Sequence, residues 1–117
     1  MEPTIHVNDE NAVIKRDYVA WNRNRYQLLL YIEREYIYEQ EFLVCGIDIY
    51  EFDNGSCFRI GCYPCCYNEE RILNGFDAHF LIEGFDNHRD ICLEIVDELS
   101  DLIDDDFMLL SSLYLLN

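Results

Sequence analysis

Apolar residues recur along this chain in two rhythms, one helical and one alternating. From Ala12 onward they fall at helical spacing: Ile14, Tyr18, Trp21, Leu28, Ile32 and Tyr36, with Arg25 at the skipped step. That spacing predicts a helix over about 12–36, with Asp9 or Asn11 as its cap. The residues before it are polar and leave room for at most a short strand around Ile5 and Val7. From Phe42 to Phe52 the chain turns rich in β-branched and aromatic residues. Asp53-Asn54-Gly55-Ser56 follows, and then a second such run from Cys57 to Tyr63. An Asn-Gly pair tolerates the two positive φ angles of a type I′ turn, so the segment predicts a hairpin over 42–63. With Asn54-Gly55 as the turn, Phe52 faces Cys57, Tyr50 faces Arg59, Ile49 faces Ile60 and Ile47 faces Cys62. Ile47, Ile49, Phe58, Ile60 and Cys62 then form the core face, with Asp48, Tyr50, Phe52, Cys57 and Arg59 on the other.

Residues 68–74 fit a short helix or a loop. Residues 76–84 alternate, with Phe76, Ala78, Phe80 and Ile82 on one side, and predict a further strand. Asp86 or Asn87 is positioned to cap a second helix over 87–104, whose stripe is Ile91, Cys92, Ile95, Val96, Leu99, Leu102 and Ile103. Residues 107–116 form a last apolar segment, a strand or a short helix, and a candidate homodimer surface. Strands and helices without regular β-α-β alternation predict an α+β fold. The expected architecture is one domain, 1–117, with a small antiparallel sheet carrying the two longer helices on one face.

Composition changes this picture in one respect. Half of the 117 residues are hydrophobic and 15% are aromatic, yet the formal charge is −16. A chain this apolar folds around a core, so the acidity marks a surface rather than disorder. From Phe76 to the end there are eleven carboxylates and one cation, Arg89. On a helix over 87–104, Asp90, Glu94, Asp97, Glu98, Asp101, Asp104 and Asp105 lie opposite the apolar stripe. Like charges at i, i+4 weaken a helix by roughly 0.2–0.5 kcal/mol per pair. On that helix Asp101, Asp104 and Asp105 also crowd the negative end of the macrodipole. A row placed against stability suggests selection for contact with a cationic surface, and such a field speeds association. A second candidate patch interleaves aromatics with carboxylates at Tyr36, Tyr38, Glu39 and Glu41, since tyrosine is enriched at binding hot spots. Lys15, Arg16, Arg23 and Arg25 form a small basic stretch around Trp21, read as neutralising nearby carboxylates.

The start of the chain has neither a basic n-region nor an apolar h-region, and no apolar run approaches the ~18 residues of a membrane span. A cytoplasmic protein with reduced thiols is expected. Six cysteines are present. Cys62-Tyr63-Pro64-Cys65 resembles the redox motif of thioredoxin-like proteins over those four residues only. It lies far from the start of the chain, and no later proline follows it. Cys57, Cys62, Cys65 and Cys66, with His79, His88 and Cys92 nearby, offer one cysteine knuckle where structural zinc usually takes two. The expectation is therefore no metal and no cofactor, with the cysteines as small buried hydrophobes or loop thiols. No Gly-rich phosphate loop, nucleophile elbow or His-Glu-x-x-His motif occurs, and a non-enzymatic protein is expected.

These features predict a small acidic inhibitor that binds a basic protein partner, touching neither nucleic acid nor membrane directly. An immunity protein neutralising a bacterial nuclease toxin fits first. A phage-encoded anti-defence protein or nucleic-acid mimic is the alternative. A zinc-binding or redox Cys-x-x-Cys domain is the rival of another class.

Overall fold

A computed structural model of the chain describes residues 3–66 and 82–115. The fold is α+β. Among the described residues six strands form one antiparallel sheet in sequence order: β1 (Thr4–Val7), β2 (Asn11–Val19), β3 (Arg25–Ile37), β4 (Gln40–Asp53), β5 (Ser56–Cys66) and β6 (Glu83–Gly84). Two helices follow, α1 (Arg89–Glu98) and α2 (Ser100–Leu115). α2 packs on β2 and β3, and α1 packs on β5 and β6. Among the described residues no helix is long and apolar enough to cross a membrane.

The helix expected over 12–36 is instead two strands, β2 and β3, paired in antiparallel register from Asn11↔Glu33 to Val19↔Arg25. The reason lies in the spacing. Ile14, Tyr18, Leu28, Ile32 and Tyr36 are all even-numbered, and steps of four satisfy a period of two as well as one of 3.6. The intervening even positions decide: Ala12, Tyr26 and Leu30 are buried beside Ile14, Leu28 and Ile32, so the sheet face under the helices is apolar at alternate residues, interrupted by Arg16 and Arg34, which bind α2. Trp21 alone breaks the parity, and it lies in the turn between the strands. That turn is closed by Ala20 N–H to Asn24 O at 3.0 Å and Arg23 N–H to Ala20 O at 2.9 Å. Before β2, the side chain of Asn8 accepts hydrogen bonds from the N–H groups of Glu10 and Asn11, closing the β1–β2 turn.

The 42–63 hairpin is present as β4 and β5, with Asn54 (φ 47°) and Gly55 (φ 84°) at its turn. Near the turn Phe52 faces Cys57 and Tyr50 faces Arg59, as expected. Beyond it a β-bulge shifts the register, so Ile49 faces Gly61 rather than Ile60, and Ile47 faces Tyr63 rather than Cys62. One extra residue reverses the alternation. Cys62 therefore leaves the expected core face and pairs with Asp48, while Tyr63 enters the core at 2% exposure. Of the strand expected over 76–84, Glu83–Gly84 pairs with β5, and residues 76–81 lie outside the described residues, as do 68–74.

The helix expected over 87–104 is divided at Leu99 (φ −101°, ψ 12°), and its second part runs on through the apolar segment to Leu115. Backbone bonds still cross the break, from Leu99 N–H to Ile95 O and Ile103 N–H to Leu99 O. Neither Asp86 nor Asn87 caps α1. His88 holds that position without a side-chain cap, and its ring meets Phe85 O and Glu51 instead. Ile95, Val96, Ile103, Phe107, Leu110 and Tyr114 close the core over Ile14, Leu28, Leu30, Ile32, Ile47 and Ile49.

Candidate acidic binding surface

The helices expose most of the expected acidic row. Asp90, Asp97, Glu98, Asp101, Asp104 and Asp105 are exposed, and Glu94 is half-buried. The break at Leu99 alters the energetics of the row. Asp101 sits in the first turn of α2, where a carboxylate is favoured by the dipole. The expected penalty on Asp101, Asp104 and Asp105 is therefore overturned. The carboxylates at an unfavourable end are Asp97 and Glu98, in the last turn of α1, which holds no basic residue. Asp106, next to Asp105 in sequence, is buried at 3% exposure and binds Arg16 on β2. The Asp106 carboxylate raises the Arg16 pKa above its ordinary value, against the opposing effect of burial.

The Tyr-Glu patch lies at the β3–β4 turn. Tyr36 is 75% exposed and Tyr38 96% exposed, and Glu39 and Glu41 are exposed too. Tyr38 (φ 51°) and Glu39 (φ 65°) both occupy the left-handed region that glycine or asparagine normally fills. The patch is tied to α2 through Arg34. Its Nη1 donates to Glu41 at 2.5 Å, and its Nε donates to the Tyr114 hydroxyl at 3.0 Å. That hydroxyl in turn donates to Glu10 O at 2.8 Å. The carboxylate row thus runs along the helical layer towards the Tyr36 and Tyr38 end of the long β3 strand.

At the other end of β3 the structure adds an aromatic that the spacing had assigned to a core stripe. Trp21 is 83% exposed at the tip of the β2–β3 turn. With Asn22 it forms one wall of a cleft of about 430 Å³, and Asp90, Ile91 and Glu94 of α1 form the other. Turn composition was the available signal, because Trp21 is followed by Asn22-Arg23-Asn24. Glu98 and Glu94 also bear on Tyr18, whose pKa is raised first by burial and then by these two charges.

The basic stretch around Trp21 is dispersed in the structure. Arg16 binds Asp106, and Arg25 lies over the Phe52 ring at 5.8 Å. On the segment expected to dimerise, Phe107, Leu110, Ser111 and Tyr114 are buried, whereas Met108 and Leu109 are exposed.

Cys45 and Cys92 are buried, Cys62 is half-buried and Cys57 is exposed. Burial, with a smaller effect of Cys62, pushes the Cys92 thiol up to about 11, which makes it a poor nucleophile. Among the described residues no three His, Cys, Asp or Glu side chains converge as metal ligands. His79 and the side chains of Cys65 and Cys66 lie outside that description. No family model, curated protein or solved structure matches the chain significantly.

Proposed function

We propose that this chain is a small acidic inhibitor that docks on a basic, nucleic-acid-acting protein, in the manner of an immunity protein neutralising a bacterial nuclease toxin. The observation that carries this reading is the exposed carboxylate row along α1 and α2, set over a well-packed core in a chain of formal charge −16. Such a field raises the encounter rate with a cationic surface, and exposed aromatics near the row supply contact area. A nuclease presents a cationic surface because it must hold phosphates. Carboxylates at i, i+4 are about 5–6 Å apart on a helix, close to the phosphate repeat of a nucleic-acid strand. That spacing also supports the phage-encoded mimic, which would differ in host enzyme rather than in chemistry.

The experiment measures survival of bacterial cells that express a nuclease toxin cloned from the neighbouring genes, with and without the chain. Protection is expected, along with a binding affinity that falls steeply with salt. Charge reversal in D97K/D101K/D104K should slow association. Absence of protection, or an affinity indifferent to both salt and charge reversal, overturns the proposal.

A further inference from the structure

The cleft between the β2–β3 turn and α1 has the chemistry of a side-chain receptor. We infer that it anchors an arginine side chain of the basic protein partner, an inference that rests on the acidic docking reading above. Trp21 is the only tryptophan of the chain, and it is held out by an ordered turn rather than by a loose loop. The Asn22 side chain accepts from Asn24 N–H at 3.0 Å, and Ala20 at the base of the turn is buried. Among the described residues the Trp21 ring meets no other ring and no cation. Across the cleft, Asp90 and Glu94 stand one helical turn apart on α1, with Ile91 between them in sequence.

Charge complementarity selects the occupant. Arg16 is engaged with Asp106, Arg34 with Glu41 and Arg59 with Asp48. Neither Asp90 nor Glu94 has an ion-pair partner among the described residues, although Arg89 adjoins Asp90 in sequence and Arg23 follows Asn22 on the other wall. Two carboxylates facing an exposed indole offer a complement to a cation carried by a partner. A guanidinium is planar and weakly hydrated, so it stacks on an indole face better than an ammonium does. Its fork of N–H donors can reach two carboxylates at once, and its aliphatic stem suits the Ile91 wall.

The test uses the full chain and two peptide probes, one Arg-rich and one Lys-rich, of equal length and charge. Because Trp21 is the only tryptophan, its emission reports this cleft alone. The Arg-rich peptide should quench it saturably and bind several-fold more tightly than the Lys-rich one. By calorimetry, W21A and D90N/E94Q should each weaken the Arg-rich peptide by roughly five- to tenfold and remove the preference for arginine. Circular dichroism confirms that each variant is folded. D101N/D104N/D105N, further along the helical layer, should weaken both peptides alike and keep the preference. If the peptides bind without changing Trp21 emission, or W21A and D90N/E94Q bind as the parent does, the cleft is not the anchor and the acidic docking reading survives. If neither peptide binds at low salt, both fall.

Discussion

The guanidinium of Arg16, on β2, holds both carboxylate oxygens of Asp106, on α2, at 2.5 and 2.9 Å. Two residues ninety positions apart thereby fasten the second helix to the sheet. Their side chains are only 16% and 4% exposed, so neither can turn to water if the other is removed. D106A should cost about 3 kcal/mol, because it leaves a largely desolvated guanidinium without its counter-charge. The apolar pair R16M/D106L should lose less than the sum of the single variants. Urea denaturation of all four proteins measures the coupling.

The two tight turns of β3–β4 and β4–β5 make an internal comparison. Asn54-Gly55 carries positive φ with the residues suited to it, whereas Tyr38-Glu39 does so with residues that are not. Left-handed backbone costs an ordinary residue about 1–2 kcal/mol. Tyr38 is almost fully exposed, so replacing it sacrifices little packing. The variant Y38N/E39G should be more stable by about 1 kcal/mol, after allowing for the added freedom of glycine in the unfolded chain. Its thermal midpoint should rise, and a fall would show that the native turn is favoured by contacts of its own.

Gly61 occupies the bulge where β5 meets both β6 and α1. A Cβ there would lie 2.5 Å from Glu83 O and 2.6 Å from Cys92 Sγ. G61A should destabilise by about 1–3 kcal/mol through this overpacking. Adding C92A should not restore stability, because the clash with the Glu83 backbone remains. Denaturant midpoints of G61A and G61A/C92A distinguish a backbone clash from a side-chain one.

Glu33 lies on the sheet face opposite the helices. Burial first, and then a hydrogen bond and charge from Glu35, raise its pKa above the ordinary carboxylate value. The folded state therefore holds the Glu33 proton more firmly than the unfolded chain does. The resulting stability is fully present below the ordinary carboxylate pKa and is lost as pH rises through the raised folded value. E33Q should accordingly melt higher than the parent at about pH 7, and the advantage should vanish towards about pH 4. Thermal melts across that range check the sign.

Some of this fold was legible residue by residue. Asn54-Gly55 announced its hairpin because turn chemistry is local. Ile91, Cys92, Ile95, Val96 and Ile103 announced a helix because their spacing fits no other period. Ile14, Tyr18, Leu28, Ile32 and Tyr36 misled, since steps of four suit both helix and strand. The bulge at Ile60 and Gly61 left no mark in the hydrophobic pattern, and it exchanged the faces of Cys62 and Tyr63. The candidate site divided in the same way. Its charge and its Tyr-Glu patch were visible as composition, whereas the Trp21 cleft required two distant segments to meet.

By itself the sequence determined an apolar core, a strongly acidic shell, an α+β class and one tight turn, because these depend on composition and on neighbours a few residues away. It could not rank Asp104, Asp105 and Asp106, three identical residues in a row. Tertiary structure did so. α2 turns Asp106 toward Arg16 and leaves Asp104 and Asp105 exposed, so one of the three became a structural tie and two remained part of the surface. The physical reason is that a charged carboxylate is buried at low cost where a cation from elsewhere in the chain meets it, and that meeting is a property of the fold.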